Sequence, residues 1–175
     1  MSQLFLDAVV EPQPATGTVC IRAANASDVE SLSIYFNGLS TTTRNKRFMG
    51  ARADLSVVAA DCLTRASRPG HFTLLAEIRQ DGESRIVGET LYAYYAAARH
   101  GEFAISVADA FQRTGLGLRM MTAMEMRASD LGHEMIAAET ARANSEMRGL
   151  AKKAGFEDTG LGDWQSVHFA KLLAR

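Results

Sequence analysis

Cysteine is scarce in this 175-residue chain: Cys20 and Cys62 stand alone, without CxxC spacing. That argues against a disulfide framework and fits a reducing compartment. A charge excess is missing as well, because nineteen basic residues face twenty acidic ones and leave a net charge of -1. No global field therefore recruits nucleic acid or an anionic membrane. The longest uncharged apolar run, Leu91 to Ala98, falls far short of the ~20 residues that span a bilayer. Met1 to Gly17 lacks both the basic start and the long hydrophobic core of a secretory signal. His71, His100, His133 and His168 are isolated, with no i,i+4 partner and no companion cysteine, so no metal site is expected. Repeats and low-complexity tracts are absent, and the single tryptophan, Trp164, is expected to pack near a strand start. These absences point to a cytoplasmic globular protein without metal, and leave a homodimer open.

A chain of this length can bury about 70% of its unfolded surface as one domain. Residues 1–17, ending in Glu11, Pro12, Gln13, Pro14, Thr16 and Gly17, read as an extended N-terminal arm, either disordered or docked as an edge, and residues 18–175 as a single domain. Within it Val19 to Ala23 makes a short strand, and Ser27 is a plausible N-cap for a helix carrying Val29, Leu32, Tyr35 and Phe36. Ser40 to Arg44 is polar and breaks that periodicity, and a second helix follows around Asp54 to Leu63, ending before Pro69. His71 to Arg79 and Arg85 to Tyr94 form a hairpin about the Asp81-Gly82 turn. Glu102 to Val107 alternates cleanly, with Phe103, Ile105 and Val107 on one face and Glu102, Ala104 and Ser106 on the other. A packed helix with Leu116, Met120, Met121, Met124 and Ala128 stops at Gly132, its methionines serving as core filler. A strand over Met135 to Thr140, a helix from Ser145 to Ala154 and weak strands at Asp158 to Leu161 and Val167 to Leu172 complete the order. The fold class is α+β in three α/β/α layers, with a mixed, mostly antiparallel sheet, a central parallel pair and about four helices.

Between the alternating strand and the long helix lies Gln112-Arg113-Thr114-Gly115-Leu116-Gly117. A glycine-rich turn feeding a helix leaves several amide N–H groups unpaired around one point, where the helix dipole also favours an anion. It is not a P-loop, because Gly117 is followed by Leu118 and Arg119 and not by Gly-Lys-Ser/Thr. It is not a dinucleotide fingerprint either, because Met120 stands where a third small residue is needed.

The pattern Q-x-x-G-x-G, with Val107 five positions ahead and an N-x-x-M-x-x-L-x-x-x-x-G-F run from Asn144 to Phe156, resembles the GNAT superfamily of acetyl-CoA-dependent N-acetyltransferases. The resemblance implies that the two central parallel strands splay apart and admit the pantetheine arm of acetyl-CoA. It assigns the pyrophosphate to the amides of Gln112, Arg113, Thr114, Gly115, Leu116 and Gly117. The main chain of Ile105, Ser106 and Val107 would meet the pantetheine and the thioester carbonyl. Arg113 either adds a charge-assisted contact or is a solvated loop cation. Asn144, with Met147 a turn onward, either touches the cofactor arm or simply caps its helix, while Gly155-Phe156 is structural.

Attack on a thioester needs a neutral amine, yet an unperturbed lysine lies about three pKa units above pH 7, so a general base would help. Glu102 is the candidate, at the position where protein-modifying relatives place a glutamate base; the alternative is a solvated strand-end carboxylate beside His100 and Gly101. The tyrosine that many relatives use to protonate the leaving thiolate is replaced by Ala151. Leu39-Ser40, Arg47-Phe48-Met49 and Leu55-Ser56 resemble the acceptor-side region of bacterial Pat-type protein lysine acetyltransferases, although Arg47 could equally be a surface residue and Phe48 a loop anchor. The expected reaction is acetyl transfer to a protein lysine, with a small-amine acceptor or a non-catalytic acyl-CoA sensor as alternatives.

Overall fold

A computed structural model describes residues 17–50, 54–80 and 82–173. In it β1 (Thr18–Ala23) leads through a 3-10 turn (Ala26–Asp28) into α1 (Val29–Gly38), α2 (Thr41–Phe48) and α3 (Leu55–Ala66). The hairpin β2 (Phe72–Gln80) and β3 (Glu83–Tyr95) and the strand β4 (His100–Val107) follow. Then come α4 (Leu116–Asp130), β5 (Met135–Ala141), α5 (Ser145–Lys153), β6 (Glu157–Asp158) and β7 (Ser166–Leu172). Among the described residues the strands form one sheet in the order β1-β2-β3-β4-β5-β7-β6, antiparallel throughout except for the parallel pair β4 and β5. The mixed sheet between helical layers is the architecture expected from the sequence. Gly82 carries the φ of +85° that the hairpin turn needs, whereas Asp81 lies outside the described residues, as does nearly all of the N-terminal arm.

Three local expectations change. The helix count among the described residues is five, because the polar stretch after Ser40 is itself helical: Ser40 caps α2 by accepting from the Thr43 amide. Apolar periodicity missed α2 because its inward contacts are polar or charged. The first helix is entered by a capping box in which Asn25, not Ser27, is the N-cap, its side chain accepting from the Ser27 amide while Asp28 accepts from the Asn25 amide. Trp164 does not pack near its strand; it is 81% exposed on the loop before β7.

Two apolar layers cover the sheet. On one face α4 and α5 bury Met121, Met124, Ala128 and Ala151 against Phe72, Tyr92, Ile136, Phe156 and Phe169. On the other, α1 and α3 bury Leu32, Tyr35, Phe36, Ala59 and Leu63 against Leu75 and Ile86. The alternation of β4 divides between them: Phe103 and Ile105 meet the α4/α5 layer, while Ser106 bonds Tyr35 of α1. Gly101, the second residue of this strand, lies beside the hydroxyl of the fully buried Tyr92, and a Cβ there would collide with it. That hydroxyl also bonds His133 Nδ1 at 3.0 Å, and His133 stacks on Tyr94 with ring centroids 3.7 Å apart. Burial, then the neighbouring His71, holds the His133 imidazole below the usual histidine range.

Candidate active site

β4 and β5 pair over only two positions, Gly101 with Ile136 and Glu102 with Ala137. Beyond them residues 103–107 and 138–141 continue as strands without facing ladder partners across the gap. Buried main-chain groups do not stay unpaired cheaply, so this fork is a place prepared for a polar, extended ligand. Glu102 is the last β4 residue before the strands part.

The glycine loop stands at the open end of the fork. Arg113 and Gly115 have φ of +61° and +88°, an alternation that turns successive amides toward one point. Gly115 is the N-cap of α4 and offers no capping side chain. Among the described residues no hydrogen bond engages the amides of Arg113, Thr114, Gly115, Leu116, Gly117 and Leu118, so six donors remain free at a helix N-terminus. The missing Cβ of Gly117 faces Leu150 of α5 at 3.2 Å and Val107 of β4 at 3.9 Å, which seats the loop directly against both elements. These residues fit a diphosphate followed by an arm that enters the fork.

Two expected contacts are already engaged within the protein. The Gln112 amide, expected at the pyrophosphate, instead donates to the Asp109 carbonyl at 3.2 Å, and the Gln112 side chain donates to the Val107 carbonyl at 3.1 Å and to the Thr43 hydroxyl at 3.1 Å, so it fastens the loop to β4 and α2. Asn144 caps α5, accepting from the Met147 amide at 3.2 Å and donating to the Thr140 hydroxyl at 3.2 Å. The capping role is therefore the one its side chain performs here, and Met147 is half-buried beneath it. Ala151, where relatives carry the acid tyrosine, lies fully buried in the α4/α5 core.

The sequence missed the polar frame on the opposite face. Arg47 is not a surface residue: its guanidinium makes a bidentate pair with Glu89 of β3 at 2.8 and 2.9 Å, with side chains 7% and 0% exposed. Burial would lower the Arg47 pKa, but the attraction of Glu89 outweighs it and raises it. Phe48 does anchor its segment, edge-on to Phe36. Asp109 ties the start of α2 to the loop after β4 by accepting from the Ser40 amide, the Ser40 hydroxyl and the Thr43 hydroxyl. Burial pushes the Asp109 carboxyl up, yet these bonds prevail and hold it below the usual range. Lys46 meets Glu146 of α5 at 3.0 Å, so α2 spans from the β4 end of the fork to the β5 end. The spacing of Glu89 within a strand that is mostly apolar could have flagged it.

Other nucleophiles and acids nearby are poorly suited to chemistry. Burial pushes the Cys62 thiol up to about 11, so it stays protonated. Tyr35, 2.9 Å from Ser106 Oγ, is driven upward by burial and is a weak acid for a departing thiolate. Glu102, by contrast, is 54% exposed at the fork, with His100 Nε2 3.2 Å from its Oε1. A shallow groove of about 410 Å³ is lined by Ile21 of β1, Gly115 of the glycine loop and Leu118, Arg119, Thr122, Ala123 and Met126 of α4.

With this geometry in view, the comparisons with known proteins agree. The profile of the Acetyltransferase (GNAT) family matches residues 40–156, from the α2 cap to the aromatic after α5. An acetyltransferase of Pseudomonas aeruginosa is 30% identical over 138 residues, covering 79% of this chain and 74% of that protein. Among solved structures, the GNAT domain of S. lividans PAT superposes with a TM-score of 0.77 at 22% identity, over 87% of this chain and 89% of that one. YncA of Salmonella typhimurium, a putative acetyltransferase solved with acetyl-CoA, superposes with a TM-score of 0.71 at 18% identity, over 90% and 95% of the two chains. The fork, the loop that feeds it and these relatives lead to one conclusion: the chain belongs to the GNAT family of acetyltransferases.

Proposed function

We propose that this acetyltransferase moves the acetyl group of acetyl-CoA to the side-chain amine of a protein lysine, with Glu102 as general base. The observation that carries the reading is the placement of Glu102 at the point where β4 leaves β5. A thioester entering from the glycine loop would end there, and an amine arriving from the α1/α2 face would meet the carboxylate. The free amides of residues 113–118 would hold the pyrophosphate, with the Arg113 guanidinium beside them. The unpaired edges of Ile105 and Val107, on either side of Ser106, would receive the pantetheine, the Val107 carbonyl excepted because Gln112 occupies it. Asn144 and Met147 would form the wall on the α5 side. Support for a Pat-like acceptor comes from the Leu39-Ser40 and Arg47-Phe48 segment, which the structure makes into the fixed helix bordering the fork.

In this mechanism Glu102 removes a proton from the acceptor ammonium, the free amine attacks the thioester carbon, and the tetrahedral adduct loses a second nitrogen proton to solvent as its C–S bond breaks, releasing the acetamide and CoA thiolate. Solvent protonates the thiolate, since Ala151 carries no acid and Tyr35 is a poor one. Glu102→Gln should lower kcat about 10²-fold or more at neutral pH while leaving the acetyl-CoA Kd unchanged by calorimetry. Wild-type turnover in that variant would remove Glu102 from the chemistry. A screen of small amines against lysine peptides, read by thiol release, tests the acceptor; preference for small amines over every peptide and protein would replace the lysine reading.

A further inference from the structure

The imidazole beside Glu102 has no part in the mechanism above. His100 is the first residue of β4 and shares a face with Glu102 two positions on. Its Nδ1 lies 3.3 Å from the Ala98 carbonyl and its Nε2 lies 3.2 Å from Glu102 Oε1. A carbonyl only accepts, so Nδ1 carries a hydrogen. Nε2 and a carboxylate oxygen are both acceptors when unprotonated, so the second contact holds only with a proton between them. The pair is thus arranged to share one proton, while Glu102 Oε2 stays available to the fork.

Resting on the reading of Glu102 as base, we infer that His100 is its positioning residue and takes over the proton the pair shares when Glu102 collects another. The acceptor ammonium gives a proton to Oε2 as the shared proton settles on Nε2, which leaves a carboxylic acid beside an imidazolium. Oε2 then releases its proton to solvent, the shared-proton pair is restored with Nδ1 still donating to the Ala98 carbonyl, and no other reactant is consumed. The turn supporting His100 is fixed by the Ala98 amide on the Tyr95 carbonyl at 3.1 Å and the Arg99 amide on the Ala96 carbonyl at 3.3 Å. Other charged and titratable groups around it are few. The Tyr95 ring of β3 tilts against His100 at 6.2 Å between centroids. Arg99 pairs with Glu134, ahead of β5, at 3.8 Å. On α3, Asp61 and Arg65 pair with each other at 2.8 Å. Glu102 is therefore the one anion in hydrogen-bond contact with the imidazole among the described residues.

The test uses the full chain, acetyl-CoA and an N-terminally blocked lysine tripeptide as the acceptor probe, with kcat and KM followed from about pH 5.5 to 9, the range in which imidazoles change charge. His100→Ala should lower kcat about tenfold at neutral pH, with the acetyl-CoA Kd within about twofold of wild type by calorimetry. His100→Gln, which keeps a donor toward Oε1 but cannot titrate, should recover part of kcat and lose the wild-type acid limb. Adding His100→Gln to Glu102→Gln should change nothing further. In long-range proton–nitrogen NMR at fixed pH, the His100 Nε2 resonance should move when Glu102 becomes Gln, because its hydrogen-bond partner changes. A wild-type kcat and pH profile in both His100 variants, alongside an impaired Glu102→Gln, overturns the role of His100 and leaves the base intact. A fully active Glu102→Gln overturns both readings. If the tripeptide is not turned over, a His100 Nε2 resonance indifferent to Glu102→Gln overturns the shared proton on its own.

Discussion

The most consequential single residues outside the fork are Arg47 and Glu89, because both charges lie out of water. Removing one partner leaves the other buried and uncompensated, at a cost of about 3–5 kcal/mol. Glu89→Ala should therefore lower the unfolding free energy by that amount in a urea titration. Replacing both together by apolar residues of similar volume should cost far less. Arg47→Lys should fall between wild type and the broken pair, because an ammonium cannot reproduce the two parallel N–H contacts. Asp28 supplies a pH signature. The bidentate contact of Arg22 holds its carboxyl below the usual aspartate range against the opposing effect of burial. A lowered folded-state value means stability that is complete above the unfolded pKa of about 3.9 and lost as pH falls through the lower folded value. The stability difference between wild type and Asp28→Asn should accordingly be constant from neutral pH to about 5 and shrink below about 4, as read by denaturant midpoints across that range.

Elements acquire function here where backbone conformation and close approach are fixed together. The loop before α4 needs the left-handed conformation at Gly115, where a Cβ finds empty space but a strained backbone. Gly115→Ala should cost about 1 kcal/mol of stability and weaken acetyl-CoA binding in calorimetry, because the amides lose their common aim. Gly101 is required for a different reason, the Tyr92 hydroxyl against it. Gly101→Ala should displace either the fully buried Tyr92 or the start of β4, and with it both His100 and Glu102, so activity should fall together with stability. The loop glycines and the alternation of β4 were legible from residue order alone, because glycine placement and period-two patterning are local properties. The helix α2 was not, since it is secured by Ser40, Thr43 and Arg47 through partners 42 to 69 positions away in sequence.

At the scale of the whole molecule, the sheet is continuous from β1 to β6 except at the fork, and the two helical layers pack on opposite faces of that interruption. Such an arrangement is held open by its surroundings: α2 reaches across it from Asp109 to Glu146, and Gly117 lies against both Leu150 and Val107. A ligand that binds only the folded fork must stabilise the whole chain. Acetyl-CoA at about one hundred times its Kd should add about 2.7 kcal/mol and raise Tm by roughly 5–10 °C, as read by thermal unfolding with and without the ligand. An unchanged Tm at saturating acetyl-CoA would contradict the proposed site.

Chain order alone determined the strand and helix succession of the catalytic half, the glycine loop between β4 and α4, the absence of a charge field, and Glu102 on the small, polar face of its strand. Those follow from periodicity, turn chemistry and composition, which act over a few residues. The tertiary structure decided where β4 parts from β5, that Arg47 is buried against Glu89, that Gln112 and Asn144 spend side-chain bonds on the protein itself, and that Trp164 faces solvent. Each of these depends on which distant surfaces meet and which polar groups are left to satisfy one another once water is gone, and residue order does not state that pairing.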